Sequence, residues 1–194
     1  MARAATLRIL GIDPGLNVTG YGVVDFTRGG PAIVEAGTIQ TDTKADVAAR
    51  IAQIHADLAE ILAEHKPDAA AVEKLYAHYK HPRTAILMAH ARGAILLACR
   101  QAGLGVRDLP ATKVKKSLTG NGHASKRQVQ LAVQAACKLD QLPEPPDVAD
   151  ALALALCAGR QATDYTHPAS KKKDRSTNYT NCTKRRQTEQ RGLK

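Results

Sequence analysis

Four carboxylates stand where a hydrolytic metal centre could form. Asp13 follows the apolar run Leu7–Ile12 and opens the turn Asp13-Pro14-Gly15. Glu73 follows Ala70, Ala71 and Val72 in another apolar run. Asp147 and Asp150 are three apart at the start of the apolar stretch DVADALALAL, so in a helix both project from one face. Carboxylates gathered in one place raise each other's pKa, and a divalent cation relieves the repulsion. An all-oxygen ligand set favours a hard ion such as Mg2+ or Mn2+ over Zn2+. Two such ions about 4 Å apart can activate a water and stabilise the leaving oxygen of a phosphodiester. That chemistry needs no nucleophilic side chain, and the chain shows no Ser/His/Asp or Cys/His signature. Each acid also has a plainer use. Asp13 can shape its turn, Asp147 can cap a helix, Asp150 can be a first-turn acid favoured by the helix dipole, and Glu73 can lie on the solvent face of an edge strand. Spacing leaves these alternatives open.

The elements that must position these acids follow from hydrophobic period. Leu7–Ile12, Val18–Phe26 and Ala32–Gln40 read as strands joined by short turns, which implies an antiparallel meander. Ala45–His65 carries Val47, Ile51, Ile54, Leu58, Ile61 and Leu62 at spacings of three and four, the period of an amphipathic helix. Asp68–Leu75 follows as a buried parallel strand. Pro82–Ala102 is a second helix, with Pro82 suited to its first turn and Gly103 to its end. Leu104–Leu109 is a fifth strand. Pro110–Leu118 is a short basic helix, Ser125–Cys137 an amphipathic one, and Asp147–Arg160 the last. The expected fold class is α/β, a mixed five-stranded sheet with helices on its faces.

Composition limits the function classes. With no Trp and one Phe, the core must be built from Ala, Leu, Ile and Val. The formal net charge of +10 favours polyanionic partners, nucleic acid among them. Cys99, Cys137, Cys157 and Cys182 form no C-x-x-C pair and read as free thiols in a reducing compartment. The seven histidines show no metal-ligand spacing and read mostly as surface residues. The N-terminus has no apolar run of signal-peptide length, so a soluble, cytoplasmic protein is expected. Residues 1–160 read as one domain. Residues 161–194 hold nine Lys and Arg against three Asp and Glu, with Leu193 as their one large aliphatic residue. They are expected to form a disordered basic tail.

Five ordered pieces carry a resemblance: GIDPGLNVTGYGVV, AAAVEKLY, ARGAILLA, TKVKKSLTGNGHASKRQVQ and DVADALALAL. Together they resemble the RuvC family of Holliday-junction resolvases, over roughly residues 7–160. The resemblance implies the RNase H-like fold, with helices on both faces of the sheet. It implies a structure-specific endonuclease that resolves four-way DNA junctions by paired symmetric nicks, in homologous recombination and DNA repair. Its metal-binding and catalytic acids fall on Asp13, Glu73, Asp147 and Asp150. Two Mg2+ ions, replaceable by Mn2+, would serve them, with Asp13 between the ions, Glu73 on one, and Asp147 with Asp150 on the other. Tyr76, three residues after Glu73, matches an aromatic that stacks or wedges at the junction centre. Lys115 and Lys126 match phosphate-contacting positions, with Lys113, Lys116 and Arg127 nearby. Arg92 in A-R-G matches a position read as structural or dimer-forming. A two-fold substrate asks for a homodimer, with Pro82–Ala102 expected to contribute to the dimer face, and the resemblance further implies the branch-migration partners RuvA and RuvB. The loop YAHYKHPRT departs from the family pattern, with Tyr79, His78 and His81 and about one extra residue. Three other readings share parts of this pattern: an RNA-cutting RNase H-like enzyme, an actin-like ATPase, and a non-enzymatic binder of DNA shape.

Overall fold

The computed structural model describes the backbone of residues 6–75 and 82–166, and the side chains of all these but 163–166. The mixed sheet has the order β3-β2-β1-β4-β5. Strands β1 (Leu7–Asp13), β2 (Val18–Thr27) and β3 (Gly30–Gln40) form the expected antiparallel meander. Strands β4 (Ala69–Glu73) and β5 (Val106–Leu109) run parallel to β1 on its other side. The strands bury two layers because their side chains alternate between faces.

On one face, Leu10, Ile12, Val23 and Val72 pack under α1 (Val47–His65) and α2 (Pro82–Gln101), through Ile54, Leu58, Leu62 and Ile95. Each fully buried Leu or Ile there contributes about 1.5–3 kcal/mol. Asp46 caps α1 by accepting from the Ala49 amide at 2.8 Å. On the other face, Ile9, Val24 and Ala71 meet α5 (Pro146–Thr166). Helices α3 (Ala111–Thr119) and α4 (Lys126–Cys137) pack alongside through Val114, Val129 and Val133. Ser125 and Gln128 close a capping box at the start of α4.

Two boundaries differ from the sequence reading, and one alternative it left open is closed. Helix α5 starts at Pro146, so Asp147 lies within its first turn and is not an N-cap. The same helix runs to Thr166, six residues into the segment expected to be tail. Strand β4 lies between β1 and β5, so Glu73 is not on an edge strand. Cys99, Cys137 and Cys157 are free thiols. No helix among the described residues is long and apolar enough to cross a membrane.

Candidate active site

The topology brings the sequence-predicted acids to one end of the sheet. Strands β1 and β4 are parallel neighbours, with Ile12 paired to Val72. Asp13 and Glu73 are the next residues on each, so both carboxylates emerge at the C-terminal ends of adjacent central strands. Such strand ends are where α/β folds place their sites. Asp13 is also paired with Gly20 on β2.

The remaining acids arrive on α5, and glycines allow the approach. A Cβ added at Gly20 would lie 2.7 Å from the Asp147 carbonyl carbon and 3.2 Å from its Cβ. One added at Gly11 would lie 2.7 Å from the Ala155 amide nitrogen. The helix backbone therefore rests on strand positions that carry no side chain. With Ala151 and Ala155 on the contacting side of the helix, α5 sinks toward the sheet and its first turn reaches the level of Asp13. Gly20 and Gly22 share a strand face at i and i+2, a signal present in the sequence that pointed only to a strand.

The electrostatics record the crowding. Burial pushes the Asp13 carboxyl up to about 8, and the neighbouring Glu73 adds to this through charge and a shared hydrogen bond. Asp150 and Asp147 push in the same direction. The Asp150 carboxyl is also raised, chiefly by burial, against the opposing pull of Lys126 and Lys115. Lys126 Nζ stands 3.6 Å from Asp150 Oδ2. Asp13, Glu73, Asp150, Lys115 and Lys126 line one open cleft, floored by Val114, Val129 and Leu154. Its volume is about 280 Å³. Asp147 sits beside the cleft and is felt by both Asp13 and Asp150. The donor set is all oxygen, partly buried, and short of positive charge, which fits hard divalent ions.

Lys113, Lys116 and Arg127 are exposed on α3 and α4, near the cleft but not part of its lining. Tyr76 and the unusual loop through His81 lie outside the described residues. Arg92 has a role that spacing did not reveal. Its Nε donates to the Glu73 carbonyl at 3.1 Å, and its Nη2 pairs with Asp108. It thereby ties α2 to the ends of β4 and β5 beside the acidic cleft. Arg50 does similar work after Asp13. This buried guanidinium donates to Thr41 Oγ1 at 2.9 Å and to the Asn17 side chain. The Thr41 hydroxyl in turn donates to the Leu16 carbonyl at 2.6 Å, anchoring the β1–β2 loop.

A five-stranded mixed sheet between helices, with an acidic cleft at the ends of its central parallel strands, defines an RNase H-like protein with a hydrolytic site suited to metal. The comparisons with known proteins narrow this class. The family described as "Crossover junction endodeoxyribonuclease RuvC" matches residues 9–158. A relative of that name from Rhodopirellula baltica is 51% identical over 151 residues, covering 77% of this chain and 84% of its own. The RuvC structure of Thermus thermophilus matches with a TM-score of 0.76 at 33% identity, covering 82% of this chain and 98% of that one. The same protein in complex with a Holliday junction substrate matches with a TM-score of 0.74 at 30% identity, covering 81% and 96%. The chain belongs to the RuvC family of crossover junction endodeoxyribonucleases.

Proposed function

We propose that this chain resolves four-way DNA junctions by paired symmetric nicks, using two Mg2+ ions per active site. The observation that carries this reading is the convergence of Asp13, Glu73, Asp147 and Asp150 beside two lysines at one sheet edge. Asp13, Glu73, Asp147 and Asp150 would hold the ions, and Mn2+ would substitute. When bound, the ions supply activation of water and stabilisation of the leaving oxygen. The protein's own groups do the rest. Lys126 screens Asp150 and, with Lys115, stands ready to grip a backbone phosphate at the cleft mouth. Lys113, Lys116 and Arg127 extend the basic surface along α3 and α4, where flanking phosphates would lie. Tyr76, three residues after Glu73 in the sequence, would be the aromatic that the family resemblance places against a base at the junction centre. Specificity would then come largely from junction shape, and the family resemblance implies a local preference for a short T-containing sequence at the cut.

A two-fold substrate asks for a two-fold enzyme. Ile86 and Leu97 are exposed on α2, 57% and 52% accessible, and a spacing of eleven puts them on one helix face. We assign this stripe to the homodimer contact. RuvA and RuvB are the partners the family implies, acting with this chain in recombination and repair in the cytoplasm.

The direct test is cleavage of a synthetic four-way junction with and without Mg2+, with products mapped on both strands. Paired nicks at symmetric positions that require Mg2+ are expected, while duplex RNA offered alongside stays intact. In Leu97→Glu, light scattering should report monomers and the nicks should become unpaired. Cleavage without a divalent ion, or of all DNA alike, would overturn the reading.

For the basic segment, we propose weak nonspecific phosphate binding. Because α5 continues to Thr166, the chain is best cut after that residue and not after Arg160. Truncation there should flatten the salt dependence of junction affinity, by about 0.9 unit of log–log slope for each phosphate the tail no longer neutralises. The cleavage rate on saturated junction should be unchanged, and an unaltered slope would rule out the tail as a DNA-binding element.

A further inference from the structure

The sheet face opposite Asp13 carries a second group of ligand-type side chains. Glu35 on β3 is paired with Val23, which packs in the layer under α1, so Glu35 points to the α1 side. Glu64 and His65 end α1. One carboxylate oxygen from each glutamate and one ring nitrogen of His65 all lie within 4.8 Å of one another. Among the described residues this is the one such group of three, and it shares no member with the catalytic cleft.

The cluster is more than an accumulation of acids. His65 is nine-tenths buried, and its Nε2 makes no well-aligned hydrogen bond. That nitrogen lies 2.6 Å from Glu35 Oε2, yet the ring N–H does not point along the line between them. With the ring proton on Nδ1 instead, the Nε2 lone pair is buried without a partner, which costs free energy that a cation placed there would recover. The surroundings orient the ligands as an outer shell does around a metal. Tyr21 Oη donates to Glu35 Oε1 at 2.6 Å, holding that carboxylate ionised and leaving Oε2 for the cluster. Arg8 Nη1 donates to the His65 carbonyl at 2.8 Å, and Lys66 caps the helix in the left-handed conformation, fixing the backbone beneath the imidazole. Glu64 is exposed and leaves an entry path from solvent.

We propose that Glu35, Glu64 and His65 bind one borderline divalent transition-metal ion, of which Zn2+ is the type. One imidazole with two carboxylates suits Zn2+, Ni2+ or Co2+. Mg2+ prefers oxygen ligands in strict octahedral geometry and fits the set poorly. The bound ion ties the end of α1 to β3, the outermost strand of the meander. It acts on the stability of that edge and not on phosphodiester cleavage. The sequence reading missed the group because Glu35 is thirty residues from its partners, and no local spacing announces it.

The test uses the full, tag-free chain carrying Asp13→Asn and Asp150→Asn, which removes the competing acidic centre. Zn2+ alone is titrated by calorimetry, and Co2+ by its visible absorption. One Zn2+ per chain is expected, with a raised melting temperature and Co2+ bands indicating nitrogen and oxygen ligands. Glu64→Gln, a change at an exposed side chain that spares the fold, should weaken Zn2+ binding at least tenfold, and His65→Gln should do the same. In the otherwise unaltered enzyme, Glu64→Gln should leave Mg2+-dependent junction cleavage unchanged. Zn2+ binding of equal affinity and stoichiometry in the Glu64 and His65 variants, or no Zn2+ binding at all, would overturn the proposal. Neither result bears on the nuclease reading.

Discussion

Asp13→Asn should abolish junction cleavage, by at least about a thousandfold, while making the metal-free protein more stable. The two effects share one cause. Asp13 is the most crowded of the four acids, pushed up to about 8 by burial and by Glu73, Asp150 and Asp147. An ionised carboxylate there is unfavourable until a cation arrives. Losing a charge that holds catalytic ions removes several kcal/mol of transition-state stabilisation, and about 4 kcal/mol corresponds to three powers of ten in rate. The stability effect has a definite sign. An unfolded aspartate titrates near its ordinary value, so between that pH and about 8 the native state binds a proton that the unfolded state does not. Stability without metal is therefore highest below the unfolded value and falls as pH rises through about 8. The difference is worth on the order of 5 kcal/mol in this crowded cluster. The asparagine variant lacks the penalty. At pH 8 without divalent ions it should melt roughly 10 °C above the unaltered chain, and near pH 4 the gap should close. Mg2+ should raise the melting temperature of the unaltered chain at pH 8 far more than that of the variant. Junction affinity should be retained or slightly tightened through the removal of negative charge. Cleavage within tenfold of normal would remove Asp13 from the catalytic set. A variant less stable than the parent at pH 8 would show that the acids do not crowd as described.

The second large effect is expected at a residue with no side chain. In Gly20→Ala, the added methyl would stand 2.7 Å from the Asp147 carbonyl carbon and closer still to its oxygen. Backbone cannot give way as a flexible side chain can, so the first turn of α5 has to move outward. Overpacking of this kind costs about 1–3 kcal/mol. The larger consequence is catalytic, because Asp147 and Asp150 ride on that turn while Asp13 and Glu73 stay with the strands. A displacement of about 1 Å costs on the order of a hundredfold in rate. We expect turnover on saturated junction to fall by about that factor and the Mg2+ requirement to rise, with all four carboxylates still present. Gly29→Ala is the control, since its methyl would meet only Thr27 Oγ1 at 3.6 Å. Full activity in Gly20→Ala at ordinary Mg2+ would mean that α5 does not need the close seat on β2.

These two positions mark how far the sequence could be read. Asp13 and the Asp147/Asp150 pair were legible because strand ends and i, i+3 spacing are local patterns. The meander, the parallel pair and most helices were legible for the same reason, since periods of two and 3.6 are written along the chain. Glu73 was legible as a misplaced acid in an apolar strand, but its edge-strand alternative fell only when β4 proved to lie between β1 and β5. The start of α5 at Pro146 likewise removed Asp147 as a mere cap.

The order of apolar and polar residues therefore defined most of the elements, singled out the candidate acids and, through its family pieces, carried the expected chemistry. It could not settle distances between elements. That Asp13 is felt by three other carboxylates, that Lys126 faces Asp150, and that Arg92 reaches the Glu73 carbonyl all depend on how helices seat against the sheet. Seating is decided by close approach between residues far apart in the chain, such as Gly20 under Asp147 and Gly11 under Ala155. The same physics hid Glu35 from His65 and let the fold bring them together. Hydrophobic period is a property of neighbours in sequence, whereas packing and the fields it creates belong to neighbours in space.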